Sequence, residues 1–220
     1  MLQTLAFLTT KGGSGKSTLA VHIRVAALQQ RTRVLLVDCD PQASLQAWAD
    51  VRAAEEPAVV AIGAGQISQV QGAARQDGIE LCVVDGSPHA DAAATQLARS
   101  ADLVVVPVRP NAMDLAAVGA VLGIIEAAKA RAVFVLSACP PRAPEIEQTR
   151  AALKATGDPV VPCVIHERRA FARAYANGKA VSELNDAATA AAEIGALWRY
   201  LKGVLRDGKG KRDRQVRQTA

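Results

Sequence analysis

Thr10-Lys11-Gly12-Gly13-Ser14-Gly15-Lys16-Ser17-Thr18 follows an apolar run over residues 2–9 and opens a helical pattern over 17–30. Strand, glycine loop and helix in that order form the setting in which backbone N–H groups cradle phosphates. The glycines let the chain approach phosphate oxygens closely, and the helix N-terminus adds its partial positive charge. Lys16 is placed to neutralise the β- and γ-phosphates, and the Ser17 hydroxyl to ligate Mg²⁺. The candidate nucleotide-binding residues are therefore Lys11, Gly12, Gly13, Ser14, Gly15, Lys16, Ser17 and Thr18. The usual pattern opens with a glycine where this chain has Thr10, and a second lysine, Lys11, stands before the glycine pair. At the start of the loop Lys11 is poorly placed for its own phosphates and is free to reach those of a partner subunit.

Outward from the loop, short apolar and β-branched runs recur at 34–38, 58–62, 81–85, 103–107, 133–138 and 160–165. Helical patterns lie between them, for example at 115–128 and 145–155. Strands that are apolar almost throughout belong to a sheet buried on both faces. Strand and helix in alternation predict an α/β fold, a single-domain P-loop NTPase whose mostly parallel sheet carries helices on both faces. No long linker divides the 220 residues, which suit one domain. Residues 1–205 are expected to form the ATPase domain, with a last helix at about 187–205. Residues 206–220 read as a basic, disordered tail.

Three aspartates fall at or just past strand ends, where open parallel sheets bind ligands. Asp85 ends a buried strand and suits Mg²⁺ coordination, a duty that Asp38 can share. Asp40, two residues beyond Asp38, points the same way. The candidate metal ligands are thus Ser17, Asp38 and Asp85. The four cysteines, at 39, 82, 139 and 163, include no CxxC pair, and the three histidines are not spaced to complete a metal site. Buried free thiols in a reducing cytosol fit this pattern, and an iron–sulfur site does not. The apolar stretches are too short to span a bilayer, and the N-terminus has no leader pattern.

At this point the chain resembles the ParA/MinD family of deviant-Walker ATPases, in which Lys11 matches the signature lysine. Residues 37–44, Val-Asp-Cys-Asp-Pro-Gln-Ala-Ser, look like the family's DxDPQ box. Residues 83–88, Val-Val-Asp-Gly-Ser-Pro, are similar to its Walker B segment, with Ser87-Pro88 where many members carry a proline pair. His166-Glu167-Arg168-Arg169 and 177–181 resemble a late conserved stretch. The resemblance implies ATP and Mg²⁺ as cofactors and a catalytic set of Lys11, Lys16 and Asp40. In that set Asp40 orients the attacking water and Lys11 stabilises charge across the interface of an ATP-bound homodimer. It also implies slow hydrolysis, stimulated by a ParB-like or other adaptor. With its first strand at residue 2, the chain is expected to lack an N-terminal DNA-reading domain.

Charge is unevenly placed. Residues 199–220 hold eight basic and two acidic residues, a net +6, while the rest of the chain carries −1. A basic end suggests a polyanion, nucleic acid or anionic membrane. For duplex DNA the candidate contacts are Lys202, Arg206, Lys209, Lys211, Arg212 and Arg214, with nonspecific affinity of roughly 10⁻⁴–10⁻⁶ M per monomer. Aromatics make up only 3% of the chain, which disfavours stacking on single strands. The expected function is a ParA-like ATPase that segregates or positions DNA or another cargo, in the cytoplasm and on the nucleoid. The alternative is a MinD-like membrane-surface ATPase, because Leu197, Trp198, Leu201, Val204 and Leu205 form an apolar stripe. His89 is expected to face solvent and Trp48 to pack the helix after the DxDPQ box. Arg168 and Arg169 could meet nucleotide, DNA or a dimer partner.

Overall fold

The computed structural model describes residues 1–52, 59–89 and 91–218, with side chains as far as Gly208. Seven strands, β1 (Gln3–Phe7), β2 (Val34–Asp38), β3 (Val59–Ala61), β4 (Leu81–Asp85), β5 (Leu103–Val108), β6 (Ala132–Cys139) and β7 (Val160–His166), form one sheet in the order β3-β2-β4-β1-β5-β6-β7. Every pairing is parallel. The connecting helices are α1 (Lys16–Gln29), α2 (Ser44–Val51), α3 (Ile67–Gln76), α4 (Ala92–Ser100), α5 (Ala112–Ala128), α6 (Glu145–Lys154), α7 (Arg169–Ala176) and α8 (Ala188–Gln218).

Alternation along β1 sorts the core into two layers, because successive side chains point to opposite faces. Leu5 and Phe7 pack with Leu19 and Ile23 of α1, Trp48 of α2, Phe171 of α7 and Leu197 and Leu201 of α8. Ala6 and Leu8 pack with Ile67 of α3, Leu97 of α4, Val118 and Ile125 of α5 and Leu153 of α6. Both faces are thus covered, as strands of Val and Leu with few polar residues require. From β1 the chain crosses to β2 on one side, and from β4 it crosses back over β1 to β5 on the other. The crevice that this reversal opens at the strand C-termini is where ligands bind in such sheets.

The expected strands all form, with shifted ends. β3 is the three residues Val59–Ala61, and residue 58 lies outside the described residues. The C-terminal helix differs more: α8 continues past Leu205, where the sequence suggests an end and a disordered tail, and runs to Gln218. The stretch beyond Leu205 contains no proline, and Lys, Arg and Gln are good helix formers whose contribution offsets the cost of Gly208 and Gly210. The stripe of Leu197, Trp198, Leu201 and Leu205 is buried in the core, with Val204 packed beside it. It faces the protein's own sheet and is not laid out for a membrane surface.

Candidate nucleotide site

The phosphate loop passes from β1 to α1 through Gly13 at φ 77° and Gly15 at φ 96°, a left-handed backbone that glycine adopts without steric cost. Gly15 caps α1. A Cβ placed on Gly15 would lie 2.8 Å from the Ser137 hydroxyl of β6. That hydroxyl donates to the Ser14 carbonyl at 2.9 Å, so β6 braces the loop from beneath. The Arg109 guanidinium lies 3.7 Å from where a Gly13 Cβ would sit. Thr10, at the first position of the loop, donates through its hydroxyl to the Ala117 carbonyl of α5 at 3.2 Å.

A cavity of about 710 Å³ opens over this loop. Gly12, Gly13, Gly15, Lys16, Ser17 and Thr18 line one end, with Asp40 and Gln42 beside them. Ser14 is buried beneath the loop, 1% exposed, and Lys11 stands outside the lining. Lys16 is 6% exposed. Burial lowers its pKa, and the Asp85 and Asp40 carboxylates oppose that shift.

Asp38 and Asp85 are register partners at the ends of β2 and β4. Asp38 spends its carboxylate on the backbone. Its Oδ1 accepts from the Asp40 N–H at 3.0 Å, and its Oδ2 accepts from Leu45 and Gln46 at 2.9 and 3.3 Å. It therefore holds the DxDPQ loop and the first turn of α2, whose cap residue, Ala43, sits at φ 51° with no side-chain acceptor of its own. Burial raises the pKa of Asp38, against those three backbone donors.

Asp85 is fully buried, and neither of its oxygens has a hydrogen-bond partner among the described residues. Burial pushes it up to about 7, and the Ser17 hydroxyl and Lys16 ammonium pull it back only in part. An orphaned buried carboxylate beside a phosphate loop and a serine hydroxyl is a donor set suited to Mg²⁺, which takes few protein ligands and keeps several waters. No cluster of three or more His, Cys, Asp or Glu competes for a metal among the described residues. Asp40 is half-buried at the cavity wall, and its Oδ1 accepts from the Gln42 N–H at 3.0 Å. Cys39, Cys82 and Cys139 are free, with burial pushing each thiol up to about 12.

Lys11 is held by a residue that the sequence motifs do not reveal. Its ammonium is 2.7 Å from Oδ1 of Asp114, a buried carboxylate in the first turn of α5. Arg109 shares the same carboxylate, donating from Nε at 2.9 Å and Nη2 at 3.2 Å. These cations hold the Asp114 pKa below the ordinary carboxylate range although burial raises it. Asn111 caps α5 by accepting from the Asp114 N–H at 2.9 Å.

The far end of the cavity is built by β6, β7 and α7: Ser137, Ala138, Ile165, His166, Glu167, Arg168, Phe171 and Tyr175. Arg168, left open in the sequence, lines the cavity with its side chain 32% exposed. It donates to Glu193 of α8 from Nη2 at 2.6 Å. Arg169 is exposed and His89 faces solvent. Tyr175 donates to the Ser44 carbonyl, which ties α7 to α2. Trp48 is buried, and its Nε1 donates to the Lys179 carbonyl at 3.2 Å. Arg52 pairs with both oxygens of Glu183 at 2.9 and 2.7 Å. The loop bearing Asp40 is thereby fastened to residues 175–183.

Of the candidate DNA contacts, Arg206 is exposed, and Lys202 is half-buried with its ammonium 2.9 Å from Gln30 Oε1. Lys209, Lys211, Arg212 and Arg214 fall on the helical backbone of α8, and their side chains lie outside the described residues. No helix among the described residues is long and apolar enough to cross a membrane.

A glycine loop between the first strand and helix of a parallel sheet, with an unpaired carboxylate at the neighbouring strand's end, defines a phosphate-loop nucleotide-binding protein. Residues 5–181 match the CobQ/CobB/MinD/ParA nucleotide binding domain, and the chain belongs to that family. It is 33% identical over 198 residues to the maintenance of carboxysome distribution protein A of Halothiobacillus neapolitanus, covering 86% of this chain and 91% of that one. The Pyrococcus furiosus cell division ATPase MinD has the same fold, with a TM-score of 0.76 at 17% identity over 93% of this chain and 100% of that one. The complex of Cyanothece McdA with ATP also matches, with a TM-score of 0.69 at 17% identity over 95% and 96% of the two chains.

Proposed function

We propose that this chain is a ParA-type positioning ATPase that dimerises with ATP, binds nonspecific duplex DNA in that state, and lets go after hydrolysis. The observation that carries the ATPase reading is Asp85, whose two oxygens are buried without partners beside Ser17 and Lys16. A buried carboxylate of that kind is tolerated where a cation is to be bound. Ser17 and Asp85 would hold Mg²⁺, with Asp38 positioning the loop alongside. When bound, the ion neutralises phosphate charge as it develops. The loop amides and Lys16 bind the triphosphate, and Asp40 orients water on the γ-phosphate. Lys11 leaves Asp114 to reach the partner subunit's phosphates, and Arg109 keeps the buried Asp114 neutralised once it has gone.

The DNA reading rests on eight basic residues within the last 22, all on the helix α8. Two such helices in a dimer make the second contact intramolecular and add on the order of 10²-fold in avidity. The membrane alternative is weakened by burial of the stripe at Leu197, Leu201 and Leu205. The carboxysome-distribution relative favours a protein assembly as cargo, and an adaptor bound to that cargo would stimulate hydrolysis. The protein would then work in the cytoplasm, on the nucleoid.

The test is binding to duplex DNA and to anionic liposomes, each with ATP and with ADP. It compares the wild type, Asp40→Ala, and a variant with Lys209, Lys211, Arg212 and Arg214 changed to alanine. The expected result is salt-sensitive DNA binding with ATP only, prolonged in Asp40→Ala and lost in the fourfold variant. Liposome binding without DNA binding would replace this reading with the membrane one.

A further inference from the structure

Strand order places the two ends of the nucleotide. Asp38, Asp40 and Asp85 come from β2 and β4, on one side of β1, so the γ-phosphate belongs there. The cavity continues on the other side of β1 to the ends of β6 and β7, which leaves that end for the nucleoside. A volume of about 710 Å³ accommodates a nucleoside triphosphate with room for water.

At the nucleoside end His166 closes β7, lining the cavity with its side chain 27% exposed. Its Nδ1 is 2.8 Å from Oε1 of Glu193, and its backbone N–H donates to Oε2 at 3.2 Å. The Arg168 guanidinium donates to the same two oxygens, from Nη2 to Oε1 at 2.6 Å and from Nε to Oε2 at 3.4 Å. Burial raises the Glu193 pKa, but the Arg168 and His166 hydrogen bonds outweigh it and hold the group below the ordinary carboxylate range. An ionised carboxylate only accepts, so Nδ1 must carry the ring proton. In the neutral ring Nε2 is then an acceptor, and it is the nitrogen left to meet a ligand.

We propose that Glu193 is a positioning residue that fixes the tautomer of His166, so that Nε2 accepts from the 6-amino group of adenine and rejects the 6-carbonyl of guanine. This rests on the nucleotide-binding reading above and adds to it the residue pair that chooses the base. Acceptor facing acceptor leaves two buried groups unpaired, which costs more than the loss of one hydrogen bond. Glutamine at 193 can offer Nδ1 either an acceptor or a donor, so it releases the tautomer while keeping the shape of the side chain.

The experiment is competition of ATP and GTP for a fluorescent nucleotide, with Mg²⁺, on the full chain. The variants are Glu193→Gln, His166→Phe and Lys16→Ala. The wild type should prefer ATP by about tenfold or more. Glu193→Gln and His166→Phe should each bring the ratio within about threefold of unity, chiefly by improving GTP relative to ATP. Lys16→Ala should lose both nucleotides together. A ratio unchanged in both Glu193→Gln and His166→Phe, even with weaker binding overall, would overturn the proposal while leaving the nucleotide site intact. A wild type that binds neither nucleotide would overturn both readings.

Discussion

The ends of β2 and β4 lie side by side, with Asp38 opposite Asp85, and they hold their carboxylates in opposite states. Asp38 accepts three backbone N–H bonds and shapes the chain that follows it. Asp85, on the inner strand, has none on either oxygen among the described residues and is the more deeply buried of the two. Both are aspartates after an apolar run, and in sequence they look like two metal ligands of one kind. The local backbone separates them. After Asp38 the chain turns back at once into α2, bringing the N–H groups of residues 40, 45 and 46 onto the carboxylate. After Asp85, Gly86 carries the chain across the end of β1, its N–H bonded to Phe7, and no donor returns. One carboxylate is committed to architecture, and the other is left without a hydrogen-bond partner among the described residues.

The largest expected consequence of this contrast is in the pH dependence of stability. Asp85 has a pKa of about 7 in the folded chain against an ordinary value of 3.8. The folded state therefore binds the proton more tightly than the unfolded state. The contribution of Asp85 to stability without nucleotide or Mg²⁺ should be full below the unfolded value and be lost as pH rises from about 4 to about 7, a change of roughly 4 kcal/mol from this one group, while Asp114, Glu183 and Glu193, whose pKa values are lowered, contribute in the opposite sense. Asp85→Asn should flatten most of that slope and raise the melting temperature at pH 8, while Mg²⁺-dependent tightening of ATP binding disappears. Denaturant titrations with EDTA across that range check this. A slope unchanged in Asp85→Asn would mean that another group carries it.

Asp38 should respond in the opposite sense at neutral pH. Asp38→Ala removes the acceptor from three backbone donors, and a loss of about 2–3 kcal/mol is expected. Asp38→Asn keeps one acceptor oxygen and should cost about half as much. Asp40 should move with the loop, so the alanine variant is expected to lose hydrolysis as well as stability. Equilibrium unfolding of the two variants beside Asp85→Asn sharpens the comparison: one side of the register pair should lose stability at pH 7.5 and the other gain it.

The same contrast explains what was legible in the sequence. The phosphate loop is contiguous, its motif residues lying within nine positions, so its strand-loop-helix context and Gly13 and Gly15 could be read directly. The aspartates stood out because each breaks an apolar run at a strand end. What that pattern could not convey is which carboxylates the fold would satisfy. Asp114 meets Lys11 across 103 residues, Ser137 meets Ser14 across 123, and Glu183 meets Arg52 across 131. Such partners are set by strand order, and no local spacing encodes them. Only Asn111, three residues before Asp114, left a local trace as a helix cap. The end of α8 was missed for a different reason: glycine beside dense charge resembles a coil, although its lysines and arginines favour a helix.

Gly15 offers the smallest of these effects and the finest test of how a distant strand supports a local motif. Two separable penalties meet there: the left-handed backbone at φ 96°, and the approach of the Ser137 hydroxyl to 2.8 Å from an added Cβ. The first belongs to the loop and costs about 1–2 kcal/mol for an alanine. The second belongs to β6 and can be removed without touching the loop. Gly15→Ala alone is expected to lose about 2 kcal/mol. Ser137→Ala alone should lose about 1 kcal/mol, the worth of its bond to the Ser14 carbonyl. In the double variant the clash disappears, so the combined loss should fall short of the sum by about 0.5–1 kcal/mol, measured as a double-mutant cycle by denaturant unfolding. Strict additivity would mean that Ser137 does not crowd the loop, and that the φ of Gly15 alone determines why no side chain fits there.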